Sequence, residues 1–405
     1  MHILLIHQAF AALDEAGGTR HHELARQLAR HGHQVTIIAS PVSYLTGTDS
    51  GLSIRKQTDD LGVTILRSFT LPALHRSFVW RVFSFISFMI SSFINGLFVR
   101  QVDLVWGTTP PIFQGPTAWL LARLKGVPFL LEVRDLWPAF AVAVGVLKNK
   151  LLIRLSEGLE CFLYRHADQV VVNSPGFIPH VTERGAQHVA LVPNGADPEM
   201  FDPESDGLKF RRKYGLEGCF VVLYAGAHGL SNDLGVLLDA AELLRDQPEI
   251  RIVLLGSGKE KPRLRSEADQ RQLDHVMFLP PLPKLDMPEA LAAADACLAI
   301  LQPIEMYKTT YPNKVFDYMA AGRPVILAID GVIRQVVEGA EAGVFVPPGD
   351  SQGLASTIRQ LATNKEKCRT MGMNGREIVQ SRYSREEVAN QFAAILETMR
   401  SRKDG

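Results

Sequence analysis

Two doubly wound α/β domains in tandem are predicted by three features of the sequence. These are its 405-residue length, strand-length apolar runs that alternate with helical patterns in both halves, and a turn-rich stretch between the halves. A single hydrophobic core stops growing at about 250–300 residues, so a chain of this length with ordinary globular composition divides. In the first half the runs fall at residues 3–6, 35–39, 63–66, 104–106, 129–133, 170–172 and 189–192. In the second half they fall at 220–224, 252–255, 276–279, 296–301, 325–328 and 344–346, with helix-forming stretches such as 234–245 and 289–294 between them. This alternation belongs to parallel sheets covered by crossover helices. Pro193, Asn194, Gly195, Pro198 and Pro203 mark the boundary. The expected domains are therefore 1–193 and 194–383, with a C-terminal helix over 384–405 packing back on the first. Such sheets bind ligands beyond the C-terminal ends of their strands, which predicts a cleft faced by both domains.

Composition removes several classes of function. The formal net charge is zero, with only a mild excess of cations in the first half, so no nucleic-acid partner is expected. Cys161, Cys219, Cys297 and Cys368 lie far apart and form no Cys-x-x-Cys pair, which argues against a zinc site or a disulfide scaffold and fits a reducing cytosol. A strand beginning at Met1 leaves no room for a signal peptide, so a cytoplasmic protein is expected.

One segment departs from the alternation. Residues 82–99 form 18 positions without a charge and include Phe83, Phe85, Phe88, Phe93 and Phe98. Ser84, Ser87, Ser91 and Asn95 recur at helical spacing as a narrow polar stripe, and Arg76, Arg81 and Arg100 flank the run. The favoured reading is an amphipathic helix that lies on a membrane surface through residues 71–100, with the arginines near phosphate headgroups. A core-packing or dimer-forming helix and a true membrane span are the alternatives.

Three stretches carry candidate chemistry. Gly17-Gly18-Thr19-Arg20 opens a helix after the first strand, where glycines admit a close ligand and the helix N-terminus favours an anion. Glu132, Arg134 and Asp135 cluster where a strand ends, followed by Leu136-Trp137-Pro138. Pro312 starts a helix whose amides, with Lys314, suit a diphosphate. One turn later Asp317, reached by Asn313 and Lys314, suits two vicinal ribose hydroxyls. For each stretch an ordinary turn, loop ion pair or capped helix is the structural alternative.

In this order, the Gly17-Gly18 loop, the run from Arg134 to Pro138, Asn173-Ser174, the run from Val192 to Asp197, Tyr224-Ala225-Gly226, Gly256-Ser257-Gly258 and the run from Asn313 to Val325 resemble the retaining glycosyltransferases of family 4, which have the GT-B fold. Within that family the bacterial polysaccharide-biosynthesis branch is most similar. The resemblance implies two Rossmann-like domains facing a cleft, the first binding acceptor and the second a nucleotide sugar. The donor implied is a UDP-sugar, N-acetylated amino sugars included. The acceptor implied is a saccharide on a polyprenyl diphosphate carrier, for cell-surface polysaccharide, at the inner face of the membrane.

By the same resemblance Gly17 and Gly18 approach the donor phosphate, Gly256 and Gly258 border the nucleotide, and Pro281 and Leu282 border the base. Amides around Asn313, Lys314 and Val315 bind the diphosphate, Asp317 holds the ribose, and Arg134 and Asp135 fall near the reacting sugar. Three departures stand out. Many members carry an Arg and a Lys soon after the glycine at 226, but here residues 227–233 read Ala-His-Gly-Leu-Ser-Asn-Asp, with Gly226 and His228 left at the nucleotide. Thr309 stands where the usual motif has its first glutamate, and Asp317 where it has its second. No Asp-x-Asp pair occurs, which favours a metal-free, cofactor-free reaction with Lys314, helix amides, Arg20 or Arg134 as charge partners. Asp135, supported by Arg134 and Glu132, is the candidate for orienting or deprotonating the acceptor. A nucleotide-sugar 2-epimerase and a catalytically silent binding protein are the rival functions.

Overall fold

The computed structural model describes residues 1–43, 47, 56–73 and 78–404. Its contacts divide into two units, one of Met1–Leu13, Gly17–Pro193 and the chain from Val388 onward, the other of Asp14–Ala16 and Asn194–Glu387.

The first unit is built on an eight-stranded sheet. Its strands are β1 (His2–His7), β2 (Gln34–Ala39), β3 (Lys56–Thr58), β4 (Thr64–Arg67), β5 (Leu104–Thr109), β6 (Phe129–Val133), β7 (Gln169–Val172) and β8 (Val189–Leu191), in spatial order 3-4-2-1-5-6-7-8. All neighbours are parallel except β3, which runs antiparallel to β4 at the edge. The central strand pairs Ile3 with Val35 on one side and Leu104 on the other. Strands buried on both faces read as continuous apolar runs, and β3, exposed at all three residues, carries none.

Helix α1 (Arg20–Arg30) follows β1, and its buried Leu24, Ala25 and Leu28 join Ile3, Leu5, Trp106 and Leu130 in one core. The C-terminal helix Arg385–Asp404 completes that core. Val388, Ala389, Phe392, Leu396 and Met399 recur at helical spacing along its buried stripe, and Phe392 packs 4.7 Å from the Trp106 ring. Each such large side chain contributes about 1.5–3 kcal/mol on full burial.

The second unit holds a fully parallel six-stranded sheet of β9 (Phe220–Ala225), β10 (Ile250–Leu255), β11 (Val276–Leu279), β12 (Ala296–Ile300), β13 (Val325–Ala328) and β14 (Gly343–Phe345), ordered 11-10-9-12-13-14. Alternate residues of β9 serve opposite faces. Val221, Leu223 and Ala225 pack in one core cluster, and Phe220, Val222 and Tyr224 in the other.

The uncharged segment folds as helix α2 (Phe78–Phe98), packed on α3 (Gln114–Lys125). Its amphipathicity is the reverse of a usual surface helix. The polar stripe faces the protein: Ser87 Oγ accepts from the Leu71 N–H at 2.9 Å, Ser91 Oγ donates to Phe69 O at 2.6 Å, and Asn95 Nδ2 donates to Ser68 Oγ at 2.7 Å. The five phenylalanines do not form one face. Phe88 is 0% exposed in the core and Phe85 stacks on Phe113 at 5.6 Å, whereas Phe83 and Phe98 are 54% and 77% exposed. Val79, Trp80, Ile90, Ile94 and Leu97 share the exposed side. Arg76 lies outside the described residues.

Candidate nucleotide and reaction sites

Each domain gathers candidate residues at the C-terminal ends of its own strands. In the first domain Gly17 takes φ +152°, and a Cβ there would stand 2.8 Å from Ala11 Cβ, so the glycine is required by crowding. Gly18 is not: a side chain there would meet open space.

Arg20, the first residue of α1, is buried, and each of its three guanidinium nitrogens donates a hydrogen bond. Its Nε donates to Glu132 Oε1 at 3.0 Å, and its two terminal nitrogens donate to Pro193 O at 2.6 Å and Val192 O at 2.7 Å. Glu132, on β6 and 1% exposed, also accepts from His21 Nε2 at 2.7 Å and Trp106 Nε1 at 3.2 Å. Burial alone would raise the Glu132 carboxyl's pKa, yet His21 and Arg20 outweigh it and hold the group well below the usual carboxylate range. Burial brings His21 down to about 4, so it donates to Glu132 as a neutral ring. Arg20 and Glu132 thus form a buried pair that ties α1 to β6 and the end of the domain.

Arg134 and Asp135 follow β6. The Arg134 amide donates to Thr109 O at 2.9 Å and its guanidinium to Pro110 O at 2.5 Å. The Asp135 backbone carbonyl accepts from the Trp137 N–H at 2.9 Å, while its buried Oδ1 has no hydrogen-bond partner among the described residues. Burial pushes the Asp135 carboxyl up to about 7, against the opposing pull of Arg134 and the Leu136 amide. A carboxyl with that pKa exchanges a proton near neutrality.

In the second domain the turn after β9 and the turn after β10 meet. Gly226 has φ +149° and Gly256 φ +147°, and a Cβ on Gly256 would collide with the Gly226 carbonyl. Gly258 lies against the His228 backbone, and the Lys261 amide donates to its carbonyl at 3.2 Å. His228 is fully buried between these turns, and neither ring nitrogen has a hydrogen-bond partner among the described residues. Burial first, then Lys261 and Lys314, brings its pKa to about 4, so the ring is neutral.

The helix Asn313–Ala320 starts beyond β12 with Pro312 as its N-cap. Lys314 does not turn toward Asp317 as its helical spacing predicts. Its ammonium lies 3.9 Å from the Tyr224 ring centroid, and a Cβ on Gly226 would stand 2.7 Å from it. The Lys314 Nζ is buried without a hydrogen-bond partner among the described residues, and burial lowers its pKa to about 7. Asp317 is held instead by Lys284, whose Nζ is 2.5 Å from Oδ1, and by Asn313 Nδ2 at 3.3 Å from Oδ2. The Val315 side chain is core, and its amide already donates to Pro312 O at 3.1 Å, so it is not an open phosphate donor. Leu282 packs on the core edge after β11. Thr309 donates its hydroxyl to Met306 O at 2.6 Å.

Lys284, Tyr224 and His21 are missed by sequence reasoning. Lys284 follows the Pro281-Leu282-Pro283 turn, a weak cue, but its partner lies 33 residues further on.

Residues 16–195 match the glycosyl transferase 4-like domain family and residues 219–364 the glycosyl transferases group 1 family. The chain is 26% identical over 389 residues to the putative colanic acid biosynthesis glycosyl transferase WcaI of Escherichia coli K12, covering 91% of this chain and 93% of the relative. Among solved structures it is similar to sucrose-phosphate synthase from Thermosynechococcus elongatus, with a TM-score of 0.80 at 20% identity over 98% of both chains. It is also similar to HepE from Anabaena in complex with UDP-glucose, with a TM-score of 0.75 at 18% identity over 98% of this chain and 100% of the other.

Proposed function

Because both halves of the chain belong to glycosyltransferase domain families and the whole has the GT-B fold, we propose that it transfers a sugar from a UDP-sugar to a lipid-linked saccharide in cell-surface polysaccharide synthesis, with retention. The carrying observation is the Lys314 ammonium, buried against Gly226 without a hydrogen-bond partner among the described residues. Residues 227–233 lack the cations that relatives of this kind are expected to carry there, and Lys314 brings one to the same glycine from another element. A departing nucleoside diphosphate carries two to three negative charges, and a preorganised cation in a dry site stabilises it without waiting for solvent to reorganise. Asp317, oriented by Lys284 and Asn313, is the carboxylate that accepts the ribose hydroxyls.

In the first domain Asp135 orients the acceptor hydroxyl or takes its proton, with Arg134 beside it, while Glu132 acts only by fixing α1 against β6. The UDP-glucose complex of HepE and the biosynthetic relative WcaI favour the transferase over an epimerase or a silent protein. The enzyme acts at the cytoplasmic face of a membrane, held by the exposed apolar side of α2 between Arg81 and Arg100.

Calorimetric titration with UDP-glucose, UDP-N-acetylglucosamine and GDP-mannose in excess chelator tests the donor reading. Binding of a UDP-sugar without metal is expected. Failure of every nucleotide sugar to bind overturns it.

A further inference from the structure

Tyr224 is buried on β9, two residues before Gly226, and its hydroxyl donates to Ala227 O at 2.7 Å. That bond locks the ring to the turn that carries His228. The face of the same ring receives the Lys314 ammonium at 3.9 Å. An aromatic face is electronegative, so it favours the charged form of an amine over the neutral one. Desolvation pulls the other way, toward the neutral amine.

The other groups around Lys314 do not provide a counter-charge. His228, from the turn after β9, is neutral. Lys261, on the helix Lys261–Gln270, spends its ammonium on Gly256 O at 2.7 Å and Leu279 O at 2.6 Å. On the helix of Lys314 itself, Asp317 is occupied by Lys284 and Asn313, and Tyr318 donates to Ala225 O at 3.2 Å. Among the described residues, the Tyr224 ring is the favourable electrostatic contact given for this ammonium.

We propose that Tyr224 is a positioning residue for donor binding: its ring face seats the Lys314 ammonium, keeping it protonated and fixed beside Gly226 until the diphosphate arrives. This rests on the reading that the pocket takes a nucleoside diphosphate. The bound anion then becomes the ammonium's partner and tightens its hold on the proton. Donor binding therefore takes up a proton wherever free Lys314 is partly neutral. Affinity is flat below the free-state pKa, near 7, and falls by up to about tenfold per pH unit above it. Without the ring the free-state pKa drops and the decline begins at lower pH.

The test uses UDP-glucose, whose diphosphate diester does not titrate above pH 5, and the wild type, Tyr224→Phe and Tyr224→Leu. NMR of proteins carrying 13C-labelled lysine, with Lys314→Met to assign the signal, gives the Lys314 midpoint without ligand. Calorimetry in two buffers of different ionisation enthalpy counts protons taken up. Tyr224→Phe should match wild type. Tyr224→Leu should lower the midpoint by about one pH unit and weaken UDP-glucose binding about tenfold at pH 8 but little at pH 5.5. An unchanged midpoint in Tyr224→Leu, or equal weakening at both pH values, overturns the proposal. Should Tyr224→Leu not fold, absence of proton uptake by wild type at pH 8 overturns it equally. If wild type does not bind UDP-glucose at either pH, the nucleotide reading fails, and the NMR midpoints still decide whether the ring seats the cation.

Discussion

Two buried clusters, one in each domain, treat charge in opposite ways. In the first, Arg20, His21, Glu132 and Trp106 close on one another, and each donor near the Glu132 carboxylate has its acceptor. In the second, the Lys314 ammonium and both nitrogens of His228 are buried with no hydrogen-bond partner among the described residues. Burying a polar group without a partner costs free energy. A network that has recovered that cost internally holds a fold together, whereas one that has not gains the most from a ligand. The comparison therefore separates structural from binding charges without reference to sequence motifs.

Removing the hub of the closed network should have the largest effect. Glu132→Ala leaves the Arg20 charge buried and uncompensated, and a loss of about 3–5 kcal/mol is expected in the unfolding transition of the first domain. Chemical denaturation followed by hydrogen exchange in β6 measures it, and a loss below 1 kcal/mol would erase the contrast. Lys314→Met should behave in the opposite sense, keeping or raising stability while weakening UDP binding by about 1.5–3 kcal/mol, as expected for a lost charged hydrogen bond. Its signature extends to pH. A lysine whose folded pKa is depressed to about 7 makes wild-type stability fall as pH drops from about 10 to 7, and the methionine variant should lack that slope.

Asp135 provides the complementary window. Its folded pKa near 7 lies above the unfolded value, so its contribution is lost as pH rises from about 4 to 7. Asp135→Asn should flatten the stability curve there, by a smaller amount than the Glu132 loss, and should lower turnover. Persistence of the wild-type slope would move that titration to another group. The smallest effect on stability belongs to α2. Phe83→Ser with Phe98→Ser should change stability by less than about 0.5 kcal/mol each while reducing sedimentation with vesicles rich in phosphatidylglycerol. A large destabilisation would mean that this face is covered in the folded protein.

Much of the sheet was legible because strands buried on both faces leave unbroken apolar runs. Strand β3 was not, since Lys56–Thr58 is exposed and its place depends on pairing with β4 rather than on burial. The site was legible where chemistry is local in sequence, as with Gly226, Gly256 and the helix start at Pro312. Helical spacing suggested that Lys314 faces Asp317, but long side chains choose among partners from other elements, and Lys284 took that place. The spacing of the serine stripe of α2 was legible and its facing was not. Periodicity groups residues on one side of a helix, and only the neighbouring strand-to-helix segment, with the Leu71 amide, the Phe69 carbonyl and the Ser68 hydroxyl, decides which side turns inward.

The position of the C-terminal helix has a consequence for biosynthesis. Phe392, Leu396 and Met399 complete the core around Trp106, yet they are translated after the whole second domain. At about 5–20 residues per second, the interval between residue 193 and residue 399 is on the order of 10–40 s. During that time the first sheet must hold its α1 face open on the ribosome. The second domain draws its core from the contiguous stretch 196–379 and meets no such delay. A released chain truncated after residue 387 should therefore carry a protease-resistant second domain attached to a first domain that chaperones still bind.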